Sequence, residues 1–452
     1  MAGCTAGVPP AASAGTSADG TAPAVDAGVI GVPSNAVDGA VAPGLMPASA
    51  LAWRQLAPRP AAAPSVSVSN GPTGYVLGIS AGTADTVYGG WTTRIAGLTG
   101  GAWYRFVARA QPQSIASIRE SVTIVLRWRG SFGDEVSPDY VWDFDKQSDG
   151  SLVFDRTIQT PSGTAAVDVE LILQWAPLAH VAFDQLSFTP VTAPPARPVR
   201  IAAIRYRPAG TASGLDSVQQ AGRYAEAVAA TQHPDVMVLG ELLNVIGAPG
   251  SFETKAEAVP GPSTDALASV ARAQRVYVAF GMVERIGDTL YNAAVLLDRG
   301  GNIVGKYHKV QLPLSDAAGG ITPGDRVPVF DTDFGRVALL ICQDSSFPEP
   351  AREAALQGAE ILLLPIWGGK SALVHARAIE NGIHLVASGY DYASEIVDPL
   401  GTVLASVAPS GGPGAAVADV DLSQRHREDW LGDWHDIAMK ERRTEPYRYQ
   451  LP

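Results

Sequence analysis

The sequence predicts an α/β domain preceded by a β-sandwich. Three observations lead to this prediction. Short runs rich in Val, Ile, Phe, Trp and Tyr recur between residues 65 and 191. Strand-like and helix-like segments alternate from residue 199 to about residue 420. A proline-rich connector, "TAPPARP", separates the two stretches. We therefore expect a β-sandwich over 65–191 and an α/β domain over 199–452, as the length of 452 residues also favours.

Residues 1–64 are predicted to be a disordered tail or linker. The first fifty residues hold no Lys or Arg and are rich in Ala, Gly and Pro, so they cannot bury enough apolar surface to offset the entropy of ordering. Cys4 lies in "MAGCTAG", which resembles the end of a bacterial lipoprotein signal. That interpretation predicts an extracytoplasmic protein, lipid-anchored at Cys4. The alternative is a tail cysteine without a role, and a cytoplasmic protein.

The segment 65–191 has the pattern of an all-β domain. Runs such as "AWYRFVARA" and "AVDVELILQWAP" are rich in β-branched and aromatic residues, and turn residues separate them. The pattern resembles the jelly-roll modules that bind carbohydrate in many extracellular enzymes, so carbohydrate is a candidate partner here. Four tryptophans could form a sugar-stacking platform, but we favour core packing for most of them, because large aromatics dominate core burial: Trp91, Trp128, Trp142 and Trp175.

The segment 199–452 has the alternation of an α/β domain. "RIAAIRY" and "DVMVLGE" have the composition of buried strands. Between them, "SGLDSVQQAGRYAEAVAATQ" has the periodicity of an amphipathic helix that stops before Pro234. Ligand sites of such sheets lie at the ends of the strands.

Charge and composition exclude several classes of protein. The net charge of −12 and the lack of a basic stripe argue against a nucleic-acid partner. No apolar run approaches the roughly 20 residues that span a bilayer. The two cysteines lie in very different surroundings, so no disulfide framework is expected. The seven histidines are scattered, and no cluster has metal-ligand spacing.

Three reactive side chains follow apolar runs of the α/β segment. Glu241 follows "VMVLG", Lys309 lies in "GKYHKVQLP", and Cys342 follows "VALLI". Each has an ordinary alternative: a surface carboxylate, a solvated lysine, or a buried thiol, which is the common fate of a free cysteine. Together they supply a base, a cation and a nucleophile.

Longer segments around these residues resemble the nitrilase superfamily of carbon–nitrogen hydrolases. They are "LGELLNVIG", "YNAAVLLDRGGNIVGKYHKVQLP" and "ICQDSSFPEPAREAALQGAEILLLPIW". The match covers about residues 199 to 450. It implies an αββα sandwich, a catalytic triad of Glu241, Lys309 and Cys342, no cofactor, and a homo-oligomer formed through this domain. The implied substrate is a small amide, a carbamoyl compound or a nitrile, and "CQDSSFPE" resembles the amidase-like branches more than true nitrilases.

The implied chemistry suits these residue types. A free thiol has a pKa near 8.5 and is mostly protonated at neutral pH, so Glu241 is the expected base. Lys309 and the backbone N–H of Gln343 are expected to stabilise the oxyanion.

Two positions depart from the family pattern. Many members carry a second glutamate shortly after the lysine segment, where Asp316 is the only acid here. Either Asp316 takes that role or another residue does. Many members also have an aromatic residue or Arg in place of Gln343, which leaves the substrate class open.

Several further residues have two interpretations. Trp367, at another strand end, could line the acyl pocket or pack in the core. For the polar residues of "ARAIENG", a structural role is favoured over catalysis, since buried ion pairs are usually scaffold: Arg377, Glu380 and Asn381. The main functional alternative is a surface binding protein, in which the β-sandwich binds glycan and the α/β domain is a degenerate scaffold.

Overall fold

The computed structural model describes residues 46, 49–72, 74–428 and 430–443. The prediction for Cys4, and that for most of the tail 1–64, therefore concern residues outside this part of the chain. Within it, no helix combines the length and the apolar character that a membrane crossing requires.

The N-terminal unit consists of two antiparallel sheets. Sheet A has the strand order β1-β4-β10-β6-β7, and sheet B has the order β2-β3-β11-β5-β9-β8. A short helix, α1 (Ile118–Ser121), precedes β6. The strands are β1 (Arg54–Leu56), β2 (Ser65–Gly71), β3 (Gly74–Ser80), β4 (Tyr88–Ala96), β5 (Trp103–Gln113), β6 (Val122–Arg129), β7 (Glu135–Tyr140), β8 (Asp145–Lys146), β9 (Leu152–Gln159), β10 (Ala166–Gln174) and β11 (His180–Val191).

One hydrophobic cluster joins the two sheets. It contains alternate residues of both, such as Ile124 and Leu126 of β6 and Phe106 and Ala108 of β5, all with no exposed surface. A period of two places every second side chain on one face of a strand, which is why the apolar runs of the sequence form this core.

The described part of the tail departs from the prediction. Residues 54–56 pair with β4 as a strand, and Trp53 is buried with its Nε1–H donating to Tyr75 Oη at 2.9 Å. The prediction of a tail or linker up to residue 64 is therefore wrong for residues 53–56. The residues on both sides of this short edge strand are rich in Ala and Pro, so the composition of the segment did not indicate a strand.

The tryptophans of this unit are mostly in the core or at a contact. Trp91 and Trp128 are buried, and their Nε1–H groups donate to Gly78 O and to Asp139 Oδ2. Trp142 donates to the α/β unit. Only Trp175 of the four is markedly exposed, at 44%, and the Arg443 guanidinium lies 5.0 Å from its ring centroid. A stacking platform built from all four tryptophans is therefore wrong.

The α/β unit has two six-stranded sheets. Sheet C has the order β16-β15-β14-β13-β12-β23, and sheet D runs β17-β18-β19-β20-β21-β22. Sheet C contains β12 (Pro198–Arg205), β13 (Val236–Val238), β14 (Tyr277–Ile286), β15 (Thr289–Leu297), β16 (Ile303–His308) and β23 (Gly414–Asp421). Sheet D contains β17 (Val329–Asp331), β18 (Arg336–Leu339), β19 (Ile361–Ile366), β20 (His384–Gly389), β21 (Ser394–Val397) and β22 (Val403–Val407). A small ribbon, β24 (Arg427–Glu428) with β25 (Gly432–Asp433), follows.

Helices connect and flank the strands of sheets C and D. They are α2 (Gly214–Gln232), α3 (Phe252–Lys255), α4 (Pro262–Gln274), α5 (Leu314–Ala318), α6 (Pro348–Leu356), α7 (Ser371–Ile379) and α8 (Trp434–Lys440). The predicted amphipathic helix is confirmed as α2, which Ser213 caps through a hydrogen bond from the Asp216 N–H. Helices α2 and α4 pack on sheet C, and apolar residues of α6 and α7 pack against sheet D. The layers therefore run α, β, β, α.

The three central strands of each of these sheets are parallel. Their carboxyl ends lie at one edge of the sheet, where open α/β sheets place ligand sites. Glu241 follows β13, Cys342 follows β18 and Trp367 follows β19. The fold therefore gathers residues that are far apart in the sequence.

Buried ion pairs connect the N-terminal unit to α8. Asp436 has a 1% exposed side chain and accepts hydrogen bonds from Arg156 Nη2 at 2.6 Å, Arg425 Nη2 at 2.6 Å and Trp142 Nε1 at 2.8 Å. Arg156 and Trp142 belong to the N-terminal unit, whereas Arg425 belongs to the α/β unit. Asp436 is thus a shared acceptor at the contact between the two units.

We predict that Asp436→Ala lowers the free energy of unfolding by about 3 kcal/mol or more, because it leaves the partly buried Arg156 guanidinium without its carboxylate and removes one of the three carboxylates around Arg425. Thermal unfolding followed by circular dichroism measures the loss. The control is Asp155→Ala, which removes a carboxylate that is 36% exposed and paired with Arg105 on the surface of the N-terminal unit. Its expected effect is within about 1 kcal/mol. Equal effects of the two variants would contradict the prediction.

Candidate active site

Glu241 lies shortly after β13, and the residue before it, Gly240, allows the backbone to pass close to Tyr390. A Cβ on Gly240 would lie 2.5 Å from Tyr390 Cζ, so only glycine lets the chain pass the ring. Tyr390 Oη then donates to Glu241 O at 2.9 Å, and Leu242 turns the chain with a φ of 56°. The Glu241 carboxylate is held in a buried position, with 2% of the residue exposed.

Lys309 follows β16 and is 1% exposed. Its Nζ donates to Glu241 Oε1 and to Asp316 Oδ2, both at 2.9 Å. Burial alone lowers the pKa of Lys309, but the charges of Glu241, Cys342 and Asp316 outweigh it and raise that pKa above the ordinary value. The lysine is therefore a fixed cation in this site.

Asp316 reaches the site from α5, and Asn292 reaches it from β15. Asn292 Nδ2 donates to Glu241 Oε1 at 2.8 Å and to Asp316 Oδ2 at 3.1 Å. Lys309 and Asn292 therefore bridge the same two oxygens. Among the described residues, Glu241 Oε2 and Asp316 Oδ1 make no hydrogen bond. Each carboxylate thus keeps one oxygen for another partner.

Cys342 turns the chain after β18 with a φ of 43°, a left-handed conformation that costs a non-glycine residue about 1–3 kcal/mol. The hydrogen bonds of Asp344 stabilise this turn: it accepts from the N–H groups of Ile341 and Gln311, both at 2.9 Å, and from Tyr307 Oη at 2.8 Å. Burial raises the pKa of Asp344 to about 6, which leaves it mostly ionised at neutral pH.

The thiol of Cys342 is protonated at neutral pH. Burial and the charge of Glu241 raise its pKa to about 12, whereas Lys309 and the backbone N–H groups of Trp367 and Gly368 act in the opposite direction. Its Sγ donates to Gly368 O at 3.4 Å. Attack by this thiol would therefore need a base, and Glu241 is a charged group that acts on it.

Gln343 is the second residue of the 3-10 turn Cys342–Ser346. Its backbone N–H makes no backbone hydrogen bond within the described part of the chain, as expected for the first turn of a helix. A free N–H thus follows the thiol directly, and an oxyanion can use it.

Trp367 contacts both the core and the rim of the site. Its ring packs against the cluster that contains Leu242 and lies 5.3 Å from the ring of Tyr390, edge to face. Its Nε1–H donates to Asp391 Oδ2 at 2.9 Å. These contacts agree with core packing, and the interpretation of Trp367 as a wall of the acyl pocket stays a prediction.

The "ARAIENG" residues lie on and after α7, and no hydrogen bond or ion pair of the described residues joins them to Glu241, Lys309 or Cys342. Arg377 is 5% exposed, pairs with Glu380 at 3.2 Å and donates to Leu373 O. Asn381 Nδ2 donates to Arg377 O at 2.8 Å. These contacts are local to the helix end and agree with a structural role. No group of three or more His, Cys, Asp or Glu side chains suited to a metal ion occurs among the described residues.

Some residues that hydrogen-bond to the site, or that lie next to such residues, were not predicted from the sequence. Asn292 was overlooked inside "YNAAVLL", where a single buried amide in an apolar strand was the available signal. Tyr390, Asp391 and Arg207 had no signal, because their contacts join separate strand ends.

A family model for carbon–nitrogen hydrolases matches residues 200–427, half of the chain. The protein is a carbon–nitrogen hydrolase. The nitrilase of Pyrococcus abyssi is 34% identical over 239 residues, covering 48% of this chain and 88% of that protein. The omega-amidase NIT2 of Homo sapiens is 31% identical over 225 residues, covering 43% and 80%. This hydrolase thus belongs to the nitrilase superfamily and has amidase and nitrilase relatives.

A solved structure is also similar to this hydrolase. It is a double mutant of the amidase from Nesterenkonia sp. AN1 in complex with acrylamide, with 23% identity and a TM-score of 0.44, covering 51% of this chain and 93% of that one. Nothing in the comparisons supports the alternative of a binding protein with a degenerate α/β scaffold.

We predict that Glu241→Gln lowers the pKa of the Cys342 thiol, because it removes a negative charge that raises it. The pH dependence of alkylation by iodoacetamide measures this pKa, and its midpoint should move to lower pH. Amide turnover by the same variant should fall at least about 100-fold.

The control for this measurement is Glu360→Gln. Glu360 pairs with Arg197 and precedes β19, at the opposite end of the strand from Trp367. In Glu360→Gln, the pH midpoint for alkylation of Cys342 should match that of the wild type. An unchanged or raised midpoint in Glu241→Gln would contradict the assigned electrostatics.

Proposed function

We propose that this hydrolase cleaves the C–N bond of a small non-peptide amide through a thioester on Cys342, with Glu241 and Lys309 completing the triad. The observation that carries the proposal is the buried arrangement in which Lys309 and Asn292 bridge the two carboxylates. It leaves one free oxygen on each acid, and the charge of Glu241 acts on the protonated thiol of Cys342. A carbamoyl compound remains within the same chemistry.

In the first step Glu241 Oε2 takes the proton of the Cys342 thiol as Sγ bonds to the carbonyl carbon. The carbonyl electron pair moves to oxygen, and the resulting oxyanion accepts from Lys309 Nζ and the Gln343 N–H. Glu241 then gives its proton to the nitrogen as the C–N bond breaks. Ammonia or an amine leaves, and a thioester remains.

In the second step water attacks the thioester carbon and Glu241 takes the proton of that water. The C–S bond breaks, the sulfur regains a proton, and a carboxylic acid is released. Atoms balance over the cycle: one amide and one water give one acid and one amine.

Asp316 has a distinct role in this proposal. Its Oδ2 accepts from Lys309 and Asn292, so its Oδ1 can accept an N–H of the substrate amide. An amide offers that donor and a nitrile does not, which favours amides over nitriles. Asp316 would then act where many family members use a second glutamate.

We also propose that the N-terminal sheets form a β-sandwich that is a fixed part of the enzyme. The contacts of Asp436 support a fixed position. A jelly-roll relationship, carbohydrate binding, a homo-oligomer and lipidation of Cys4 stay predictions.

We predict that Cys342→Ala abolishes ammonia release from a panel of small aliphatic amides, carbamoyl compounds and nitriles, because no other thiol lies among the described residues. Ammonia detection after equal incubation with both enzymes measures the effect. The control Ser345→Ala changes a neighbouring hydroxyl that donates to Cys342 O and should keep measurable turnover. Wild-type turnover of any substrate by Cys342→Ala overturns the proposed nucleophile.

We predict that Asp316→Asn lowers kcat/KM for amides by about 100-fold or more, because the amide side chain offers fewer acceptor sites and removes a charge beside Lys309. The control is Asp325→Asn in the following loop, whose side chain is 92% exposed. The control should retain wild-type kinetics. Equal kinetics of Asp316→Asn and wild type would show that Asp316 does not hold the substrate.

A further inference from the structure

Sheet C contains a buried carboxylate that the mechanism above does not use. Glu284 lies on β14, and its side chain is 1% exposed. Its Oε2 is hydrogen-bonded to His308 Nε2 at 2.7 Å, and its Oε1 accepts from Lys306 Nζ. Both partners belong to β16, and the residue that follows His308 in the chain is Lys309. The carboxylate is therefore bonded to the segment that carries the lysine of the site.

The bonds of Glu284 cross an intervening strand. The order of sheet C ends in β14, β15 and β16, so β16 is an edge strand with backbone pairing to β15 alone. Such a strand opens locally more easily than a central one, because one side of its backbone lacks a ladder. Tyr291 of β15 lies opposite Glu284, and its ring stacks on that of His308 with centroids 4.0 Å apart. Glu284 thus ties the end of the edge strand to a strand inside the sheet.

The direction of the Lys309 side chain depends on that of its neighbour. Successive side chains of a strand point to opposite faces of the sheet. The Lys309 N–H donates to Asn292 O at 2.9 Å, so Lys309 still follows the ladder. Tyr307, with the same alternation as Lys309, donates to Asp344 below the thiol turn. The bond that holds His308 on one face of the sheet therefore directs Lys309 to the other.

Glu284 holds its partners as an anion. Burial raises the pKa of Glu284, but the hydrogen bonds from His308 and Lys306 outweigh it and hold that pKa below its ordinary value. Hydrogen bonds to an ionised acceptor are stronger than those between neutral groups. A glutamine at this position would keep the size of the side chain, but it would turn an N–H₂ group towards one of the two donors.

We propose that Glu284 is a positioning residue, which fixes the end of β16 through His308 and Lys306 and thereby holds the Lys309 ammonium in place. Glu284 itself touches no reacting atom. The inference rests on the proposed function, in which Lys309 stabilises the oxyanion. It makes the rate of the reaction on one face of sheet C dependent on a charge on the other face.

The first test is Glu284→Gln in the full-length enzyme, with the small amide that the wild type turns over fastest. We expect kcat to fall by about 10- to 100-fold and KM to change by less than about 3-fold, because the oxyanion exists only in the transition state and the intermediate. A loss that appears only in KM, or no loss, overturns the inference.

The matched control is Glu170→Gln. Glu170 has a 10% exposed side chain and is bonded across a sheet to Arg127 at 3.0 Å, in the N-terminal unit. This variant also removes a largely buried carboxylate from a strand, and its kcat should stay close to that of the wild type. If the two variants lower kcat equally, general loss of stability explains the effect and the role of Glu284 is overturned.

A second measurement needs no substrate. The charge of Lys309 lowers the pKa of the Cys342 thiol, so a displaced lysine leaves less thiolate. In Glu284→Gln the rate constant for alkylation by iodoacetamide at about pH 9 should fall by about 3- to 10-fold. Mass spectrometry of the peptide that carries Cys342 separates this label from that on Cys4. If the wild type turns over no amide, the proposed function fails, and an unchanged or higher alkylation rate overturns this inference separately.

Two variants of His308 cover the case in which Glu284→Gln does not fold. The His308 side chain is 21% exposed, so replacing it disturbs the core less. His308→Ala removes the donor to Glu284 and should reproduce the fall in kcat. His308→Gln offers an N–H donor in place of Nε2 and should recover most of the wild-type kcat. Wild-type kcat in His308→Ala, or equal losses in both variants, overturns the inference.

Discussion

The active site depends on one buried cation shared by two carboxylates. Lys309 is 1% exposed and bonds to Glu241 and Asp316, so a lone lysine here would be costly and a lone carboxylate equally so. Two carboxylates around one lysine cation leave a net negative charge. That surplus, together with burial, keeps the proton on Cys342. The thiol is therefore unreactive at rest, and in the proposed mechanism the carboxylate that raises its pKa, Glu241, is also the group that deprotonates it.

The backbone brings these charges together at a local cost. Leu242 and Cys342 both have positive φ values, which non-glycine residues adopt only where the surroundings enforce them. At Cys342 the enforcing group is Asp344, with two backbone N–H groups and one hydroxyl donating to it. On the two sides of Leu242, Tyr390 Oη donates to Glu241 O and the Leu243 N–H donates to Gly281 O at 2.8 Å. Two apolar strands thus end in turns that aim a base and a thiol at the same space.

The sequence predicts the residues of the site better than their connections. Glu241, Lys309 and Cys342 are visible because each follows an apolar strand, and the motif around each resembles a known family. The role of Asn292 is not evident from the sequence. Its partners, Glu241 and Asp316, come from separate segments that meet only in the folded chain. The same limit applies in the N-terminal unit. Strand β10 is evident from its apolar run, but β2, with Ser at alternate positions and mostly exposed, owes its existence to pairing with β3.

The placement of the N-terminal unit leaves the active site open. Trp142 and Arg156 line a crevice together with Arg336 and Glu360, which lie at the amino ends of β18 and β19. Cys342 and Trp367 follow the carboxyl ends of the same strands. Because parallel strands direct their two ends to opposite edges of a sheet, a unit docked on the amino edge covers neither the thiol nor Trp367. Selection among substrates therefore falls to the strand-end loops, and the contacts of Asp436 serve to hold the two units in a fixed relation.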